Sequence, residues 1–408
     1  MPAWNDFEKQ HNEMANARRL EEPTWRELAK FLRPDGVAFN PGEQRERNGQ
    51  DDPWDSTALY ALDDFVGGLF VKANNPAERW FSLTLGLNKQ LEQYRPVKSW
   101  LRFYEDTIYG SLNPARDNFY LSVPAWFGDM GGLGTGFLWD EENVGKRSFI
   151  CRAVPLGECY KDVDANGDTN HFHRRFKLTG LQAKGEYGER APINMRDDEA
   201  VDFVHVLIRN DNFVPGALGA RGKRWKSCVV SPDKRDFYFD RPGGGYNELP
   251  VHEIEWSRRS GKKWATGPGH NALADMRGND ELTRSMLVGA QFDNEPMVLV
   301  NNEDVMTSAD IAPGSLLYGG MTEMGKRQVE YLERKNSPQT TLNERNVVRN
   351  AIMRAFRFSL AQVLASRPQM TAEEVLSWKA EDLKMLAPLL NKGIVPLPTQ
   401  PTAPPKEL

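Results

Sequence analysis

Two long helical patterns in the last third of the chain most constrain how this sequence can fold. The first covers residues 269–295 and stops at Pro296. The second covers residues 339–366, where apolar side chains recur every four positions, namely Val348, Ile352, Phe356, Leu360 and Leu364. Between them, residues 297–335 have the composition of short strands and turns. The pattern therefore predicts two long helices joined by a small β insertion.

The residues before this pair divide into a helical part and a β-rich part. Apolar periodicity of three and four predicts helices over 6–33 (divided near Pro23), 55–73 and 89–112. The run WFSLTL at 80–85 alternates briefly and suggests a strand. From residue 119, β-branched and aromatic runs are broken by Gly, Pro and Asn-Gly, with one helical piece near 179–188. We predict an α+β fold, helical over 1–118 and β-rich over 119–265.

The composition argues against several classes of protein. The formal net charge is −5, so the chain lacks the basic excess that tight binding to a nucleic-acid backbone requires. Cys151, Cys159 and Cys228 include no CxxC pair and leave one thiol over in any disulfide scheme, which favours a reducing compartment. No apolar signal segment or run of about 20 apolar residues is present. We expect a protein made in the cytoplasm, with no membrane partner.

Residues 162–169, DVDANGDT, resemble the start of a calcium-binding loop. Oxygen-bearing side chains alternate at Asp162, Asp164 and Asn166 and are followed by a glycine. The twelfth position should carry an acidic ligand but is His173, and the flanking residues alternate like strands. Asn-Gly between two strands is typical of a β-hairpin. We therefore predict a turn here and no metal site.

The remaining motifs give catalysis little support. His171 and His173 share one strand face, but no Cys or carboxylate accompanies them in metal-ligand spacing. The glycines of GGLGTGF at 131–137 lack the Lys-Ser/Thr of a phosphate loop and precede a strand, which favours a tight turn or close packing. No GxSxG, HExxH or Cys–His arrangement is present. We expect no catalytic residue, metal or cofactor; a metal-dependent hydrolase using residues 162–173 stays open as the weaker alternative.

The second long helix carries a set of arginines: Arg345, Arg349, Arg354 and Arg357. Arg345 and Arg349 share a face at a spacing of four residues, whereas Arg354 lies on the far side. This spread is compatible with a row that faces DNA, but it favours a solvated helix surface with salt bridges.

The combination of segments resembles the head-to-tail connector, or portal, proteins of short-tailed bacteriophages. Five short stretches carry the resemblance in chain order: WRELAKFLRP at 25–34, DSTA at 55–58 with NP and WF at 75–81, GTG at 134–136 with the DANGD hairpin and Arg174-Arg175, EW with GPG at 255–269, and MTAEEV at 370–375. They span nearly the whole chain, and none of them is a catalytic motif.

The resemblance implies a particular division of the fold. The segments expected from it are a wing over 1–265, stem helices over 266–296 and 336–366, a clip over 297–335, a channel loop over 367–370, a short crown helix over 371–392 and a Pro-rich tail over 393–408. Members of that family usually continue further, so only a short crown is expected here.

The resemblance also implies a function and partners. In that family the copies, usually twelve, form a ring at one capsid vertex through which terminase packages the genome and from which DNA is later ejected. Expected partners are other copies of the chain, the terminase large subunit, the tail adaptor, the major capsid or scaffolding protein and double-stranded DNA in transit. The expected location is the virion, after assembly in the host cytoplasm.

The resemblance also implies which residues line the channel and which face a partner. The channel-lining residues expected are Arg345, Arg349, Arg367 and Gln369, and the residues expected to face a partner from the clip are Asn301, Asn302, Glu303 and Asp304. Another ring-forming virion protein, such as a tail adaptor or scaffold, is the structural alternative. It has no evident need for two long helices around a clip-sized insertion.

Overall fold

A computed structural model of the chain describes residues 4–33, 52–85, 89–112, 117–143, 148–188, 195–233, 236–238, 245–294, 298–300, 329–331 and 338–356. Helices and antiparallel sheets are both present in these ranges, in agreement with the predicted mixture of helix and sheet. The predicted channel loop, crown helix and tail lie outside the described residues, as does most of the predicted clip.

The first part of the chain is helical. Its helices are α1 (Trp4–Arg19), α2 (Glu22–Leu32), α3 (Thr57–Ala73), α4 (Lys89–Glu92), α5 (Arg95–Ser111) and α6 (Phe119–Leu133). The predicted division near Pro23 is confirmed, because α1 ends at Arg19 and α2 begins with this proline in its first turn. A proline is tolerated there since the first backbone N–H groups of a helix have no partner inside it.

The β-rich part follows, and the last part again contains long helices. The strands and the short helix are β1 (Thr135–Asn143), β2 (Ser148–Val154), β3 (Cys159–Val163), β4 (Thr169–Thr179), α7 (Gly180–Tyr187), β5 (Ala200–Arg209), β6 (Trp225–Ser231), β7 (Asp236–Tyr238), β8 (Gly245–Tyr246) and β9 (Val251–Glu255). The final elements are α8 (Pro268–Asn294), β10 (Val298–Val300), β11 (Val329–Tyr331) and α9 (Pro338–Ala355).

Two antiparallel sheets form the β-rich part. A three-stranded sheet has the order β2-β1-β9, and a larger sheet has the order β3-β4-β5-β6-β7, with β8 also paired to β6. The predicted hairpin is confirmed, since β3 and β4 pair antiparallel with Asp162 opposite His171. β10 and β11 pair at the two ends of the insertion, with Leu299 opposite Glu330.

Helix α6 occupies residues that were placed in the β-rich part, so the predicted start of that part at residue 119 is wrong. Most of its residues are buried between α2, α3 and the three-stranded sheet, although Leu121 is 79% exposed. A helix that is apolar on every side shows no amphipathic periodicity, and its Pro124 and glycines also suggested a break.

Two glycines allow α6 to pack closely against α3 and to end at Gly134. A Cβ on Gly131 would lie 2.6 Å from a ring carbon of Phe65 on α3, so only glycine permits this approach of the two helices. Gly134 ends the helix with a φ of 88°, a conformation that glycine adopts at little cost. The prediction that GGLGTGF serves turning and close packing is confirmed.

The segment 80–85 forms no strand and pairs with none in the described chain, so the predicted strand is wrong. Side chains take the place of a neighbouring strand along one edge. Tyr109 Oη accepts a hydrogen bond from the N–H of Phe81 at 2.8 Å, and a Glu105 carboxylate oxygen accepts one from the N–H of Leu83 at 2.7 Å. The segment is thereby fixed along α5.

Asp117, just before α6, gives the fold a predictable pH dependence. Burial, with a smaller contribution from the charge of Asp140, raises the pKa of Asp117 to about 6. The stability that the neutral carboxyl contributes is complete below its unfolded pKa and is lost as the pH rises through 6.

The unsubstituted protein should lose stability from this residue when the pH is raised from 5 to 8, whereas Asp117→Asn should not. We therefore expect the fall in unfolding free energy over this pH range to be about 1 kcal/mol smaller in Asp117→Asn. The amide keeps the oxygen that accepts a hydrogen bond from the N–H of Phe119 at 3.1 Å. Thermal unfolding at the two pH values measures the difference. Parallel pH profiles for the two proteins would contradict the assignment.

Candidate functional site: the paired long helices

Helices α8 and α9 pack side by side and run antiparallel. Leu273 and Met276, near the start of α8, belong to the main apolar core together with Ile352 and Phe356, at the end of α9. Since the start of one helix and the end of the other enter the same core, the opposite ends project from it. At 27 residues, α8 is about 40 Å long.

A half-buried ion pair fixes the base of α9. The Arg349 guanidinium, 33% exposed, donates to Asp55, whose side chain is only 2% exposed. Asp55 stands two residues before the start of α3. The other carboxylate oxygen of Asp55 accepts a hydrogen bond from the N–H of Thr57 at 2.8 Å. Burial alone would raise the pKa of Asp55, but the hydrogen bonds from Thr57 and Arg349 bring it below its ordinary value. One carboxylate therefore caps α3 and holds α9 against it.

The base of α8 is also tied to the helical part. Arg277 forms an ion pair with Glu27 of α2. The N–H of Trp54 donates to a carboxylate oxygen of Asp280 at 2.5 Å. Both contacts lie in the first half of α8.

The projecting half of α8 exposes apolar side chains. Leu287 is 47% exposed, Val288 41% and Phe292 43%. Val288 and Phe292 stand one turn apart on the same face. Val347 on α9 is 69% exposed. A helix pair with apolar side chains outside its own packing seam has a surface suited to association with further helices.

The predicted channel residues are only partly within the described chain. Arg349 is there and is engaged by Asp55. Arg345 is half-buried one turn earlier, and its Nε has no hydrogen-bond partner among the described residues. The other predicted site residues, Arg367, Gln369, Asn301, Asn302, Glu303 and Asp304, lie outside the described residues.

The hairpin at residues 162–169 uses its carboxylates for its own structure. Lys263 donates to an oxygen of Asp162 at 2.6 Å. One oxygen of Asp164 accepts hydrogen bonds from the N–H groups of Asn166 and Asp168 at 2.8 and 3.0 Å. These contacts hold the side chains in a hairpin turn, and the geometry does not support the hydrolase alternative.

His173 of β4 lies under α1. His173 is fully buried, and its Nδ1 lies 3.2 Å from Nδ1 of His11 on α1. Burial lowers the pKa of His173 well below its ordinary value, and burial with the nearby Arg175 and Arg18 lowers that of His11 to about 4. Neutral imidazoles thus pack the helix onto the sheet.

A buried charge cluster that the sequence analysis did not find joins the two sheets. Lys161 on β3 is 1% exposed and donates to Glu253 and Glu255 of β9, the second at 2.8 Å. Its ammonium group also lies 4.9 Å from the ring centroid of Trp264. The sequence gives no clear signal for it, because Lys161 is followed by Asp162 in a strand of mixed polarity, CYKDV.

The described residues offer no group of three or more His, Cys, Asp and Glu side chains arranged to hold a metal ion. The three cysteines are buried, and burial raises the pKa of the Cys159 thiol. A buried thiol with a raised pKa is a poor nucleophile. In the same part of the chain, every helix is too short or too polar to cross a membrane.

Comparison with known proteins identifies the family to which the chain belongs. Residues 5–393 match the family described as bacteriophage head to tail connecting protein. The match covers most of the chain, which therefore belongs to this family of phage head-to-tail connecting proteins. The expected role of a phage portal, or head-to-tail connecting, protein is thereby confirmed, and the family is one of structural proteins and not a known class of enzymes.

Two curated relatives carry the corresponding names. A probable portal protein of Bordetella phage BPP-1 is 25% identical over 391 residues, which are 90% of this chain and 67% of the relative. The portal protein of Salmonella phage epsilon15 is 23% identical over 412 residues, 94% of this chain and 70% of the relative. Proteins of this kind are components of the virion.

Similar solved structures come from the necks of GTA particles. A chain from the neck of the empty particle matches with a TM-score of 0.35 and 11% identity, over 74% of this chain and 65% of that one. A chain from the native particle matches with a TM-score of 0.27 and 9% identity, over 58% and 54%. The present chain thus spans about two thirds of the length of its curated relatives and of the first of these neck chains.

Proposed function

We propose that copies of this chain form a ring in which the α8–α9 pairs stand side by side around a channel for double-stranded DNA. The observation that carries this proposal is the antiparallel pair itself, anchored in the main core at one end only. Val288 and Phe292, exposed on the projecting half of α8, would be covered by the pair of the next copy. A closed ring requires such head-to-tail contacts between two different surfaces.

The segments outside the described residues complete the proposal. Residues 297–335 form the clip, whose Asn301, Asn302, Glu303 and Asp304 face the terminase large subunit during packaging and the tail adaptor afterwards. Residues 367–370 project into the channel, and 371–392 form a short crown. The wing, residues 1–265, faces the capsid or scaffolding protein, and assembly takes place in the host cytoplasm before the ring enters the virion.

The charge of the chain suits a channel through which DNA slides. Several simultaneous ion pairs with phosphates change affinity by orders of magnitude and would retain the DNA. The net charge is −5, and Asp55 neutralises Arg349 at the base of the pair. Arg345, Arg367 and Gln369 are the residues we propose for the channel wall.

Imaging of the purified protein tests the proposal. We expect ring-shaped particles with a central opening in negative-stain micrographs and, by sedimentation, a mass many times the 46.3 kDa of one chain. Val288→Asp with Phe292→Asp should prevent ring formation, whereas Leu218→Asp, at a side chain 97% exposed on a loop, should not. A protein that stays monomeric at all concentrations would refute the ring, and a ring without a projecting stem would favour a tail adaptor.

A further inference from the structure

Helix α1 packs on the larger sheet through a small apolar cluster of its own. The buried members of this cluster are one residue of α1 and four of β5 and β6: Phe7, Val204, Val206, Cys228 and Val230. The main core is a separate cluster, to which Trp25 and Leu28 of α2 already belong. A segment that packs on a separate, small cluster has its own opening equilibrium, which costs less free energy than global unfolding.

Two imidazoles meet where α1 crosses the sheet. Nδ1 of His11 on α1 lies 3.2 Å from Nδ1 of His173 on β4. A neutral imidazole has one N–H and one acceptor nitrogen, so one Nδ1 donates here and the other accepts. Hydrogens on both Nδ1 atoms would face each other with no acceptor between them. The hydrogen bond therefore holds α1 on the sheet only while at least one of these nitrogens keeps its lone pair.

The surroundings of the pair offer no place for an added proton. His173 is fully buried, and its Nε2 has no hydrogen-bond partner among the described residues. The ring centroid of Phe7 lies 5.6 Å from that of His173, and the ring of Tyr160 lies 4.8 Å from that of His11. A charged imidazole would thus be placed among aromatic rings, without water or an acceptor, and burying a charge in this way is costly.

The charges near the pair also oppose protonation. Titratable or charged groups lie around it on each element packed there: Arg18 of α1, Tyr160 of β3, His171 and Arg175 of β4, Asp202 and His205 of β5, and Cys228 of β6.

The nearby carboxylates already have cationic partners. Arg175 donates to Asp202 at 3.2 Å, and Nε of Arg18 lies 3.1 Å from a carboxylate oxygen of Glu22. Within the described chain, no carboxylate pairs with either imidazole. Burial and the two guanidinium groups lower the pKa of His11 to about 4, and burial lowers that of His173 as well.

We propose that α1 is a detachable helix, which leaves the larger sheet when the imidazole pair of His11 and His173 takes up protons. Its departure uncovers the apolar surface of β5 and β6 around Cys228, while the main core and the base of the α8–α9 pair stay intact. The inference goes beyond the proposed ring and does not rest on it.

The pH range and the steepness follow from linkage. In the detached state both histidines regain an ordinary pKa near 6.5, whereas in the packed state the pKa of His11 is about 4. The stability of the packed helix is therefore complete above pH 6.5 and is lost as the pH falls from 6.5 towards 4. Each histidine adds up to one proton per opening, so the opening equilibrium should rise by up to about a hundredfold per pH unit.

Thiol labelling of the full chain measures this opening at Cys228. We expect the labelling rate, divided by that of the denatured chain at the same pH, to rise by about a hundredfold between pH 6 and pH 5. A disulfide reagent that still reacts in acid is required, and peptide mass spectrometry identifies the modified thiol. Cys151 and Cys159 belong to the main core and should stay protected, which makes them internal references.

Two substitutions test the role of the pair. His11→Phe keeps a ring beside Phe7 and Tyr160 but removes one titrating group, so the rise should fall to about tenfold per pH unit. His252→Phe, on β9 at 25% side-chain exposure, is the matched control and should keep the full rise. An unchanged rise in His11→Phe would overturn the inference, as would a Cys228 rate that does not respond to pH.

Hydrogen–deuterium exchange of the unsubstituted protein gives a measurement that needs no variant. After correction for the intrinsic exchange rate, the amides of α1 should show the same rise with falling pH, and those of α6 should not. If all three thiols react together and α6 exchanges as fast as α1, the acid transition is global unfolding and the inference fails.

Discussion

Arg349→Ala is expected to lower the free energy of unfolding by about 2–4 kcal/mol, a large effect for one residue at the end of a helix. The loss comes mainly from Asp55, whose side chain is 2% exposed in the intact pair and would be left without its cation. Removing one member of a buried pair costs more than the pair contributes, because the remaining charge is neither hydrated nor compensated. Denaturant unfolding gives the magnitude, and hydrogen–deuterium exchange over residues 341–356 shows whether α9 loosens first.

Two companion variants separate charge from packing in this prediction. Arg354→Ala removes an exposed arginine one turn and a residue further along α9 and should change stability by less than about 0.5 kcal/mol. Asp55→Asn combined with Arg349→Ala should recover most of the loss, since the amide oxygen still accepts from Thr57. Equal effects of Arg349→Ala and Arg354→Ala would contradict the assigned role of the ion pair.

The stability deficit of Arg349→Ala should depend on pH in a definite direction. In the unsubstituted protein the pKa of Asp55 is lowered, so its contribution to stability is present above the unfolded pKa and is lost as the pH falls through the folded value. Without Arg349, burial dominates and the pKa of Asp55 rises. The deficit of Arg349→Ala should therefore shrink as the pH is lowered towards 4.

The sequence predicted the two long helices at the site but not the Arg349–Asp55 ion pair. The two long helices were predictable because their periodicity extends over several turns, and both α8 and α9 were observed. The partner of Arg349 was not predictable, since Asp55 precedes it by 294 positions. Asp55 was recognised only as the start of a helix. Local pattern identifies elements; only the packed fold brings distant charges together.

The same reasoning explains the errors in the fold. Helix α6 was placed in the β-rich part because apolar residues on its exposed as well as its buried side remove the amphipathic signal that marks surface helices. The segment 80–85 was predicted as a strand because apolar and polar residues alternate there, and the exposure of Phe81 to Leu85 does alternate. What it lacks is a strand neighbour, whose place Tyr109 and Glu105 take. In both cases the element's surroundings, and not its own residues, decided the outcome.

Lys161→Met is expected to lower the free energy of unfolding by about 3–5 kcal/mol. Lys161 is the cation between Glu253 and Glu255, so methionine would leave two carboxylates facing each other where the sheets meet. In the unsubstituted protein burial raises the pKa of Glu255, whereas Lys161 brings the pKa of Glu253 below its ordinary value in spite of burial. Without the ammonium group, both carboxyl groups should have raised pKa values.

The raised pKa values expected for Glu253 and Glu255 in Lys161→Met can be tested through the pH dependence of stability. A carboxyl group with a raised pKa in the folded state contributes stability below its unfolded pKa and loses it as the pH rises. The penalty of Lys161→Met should therefore be clearly larger at pH 8 than at pH 5 in denaturant unfolding. A penalty that is equal at both pH values would assign the loss to packing against Trp264 instead.

Two further variants test whether the charge of Lys161 joins the two sheets. Lys161→Met combined with Glu253→Gln and Glu255→Gln removes all three charges and should recover much of the loss, because buried ionic groups replaced together cost little. Lys177→Met, on β4 at 45% side-chain exposure, should cost less than about 1 kcal/mol, since its contact with Asp202 at 3.9 Å is solvated. The single Lys161 substitution should thus destabilise the β-rich part far more than the Lys177 substitution, because the partners of Lys161 lie on the other sheet.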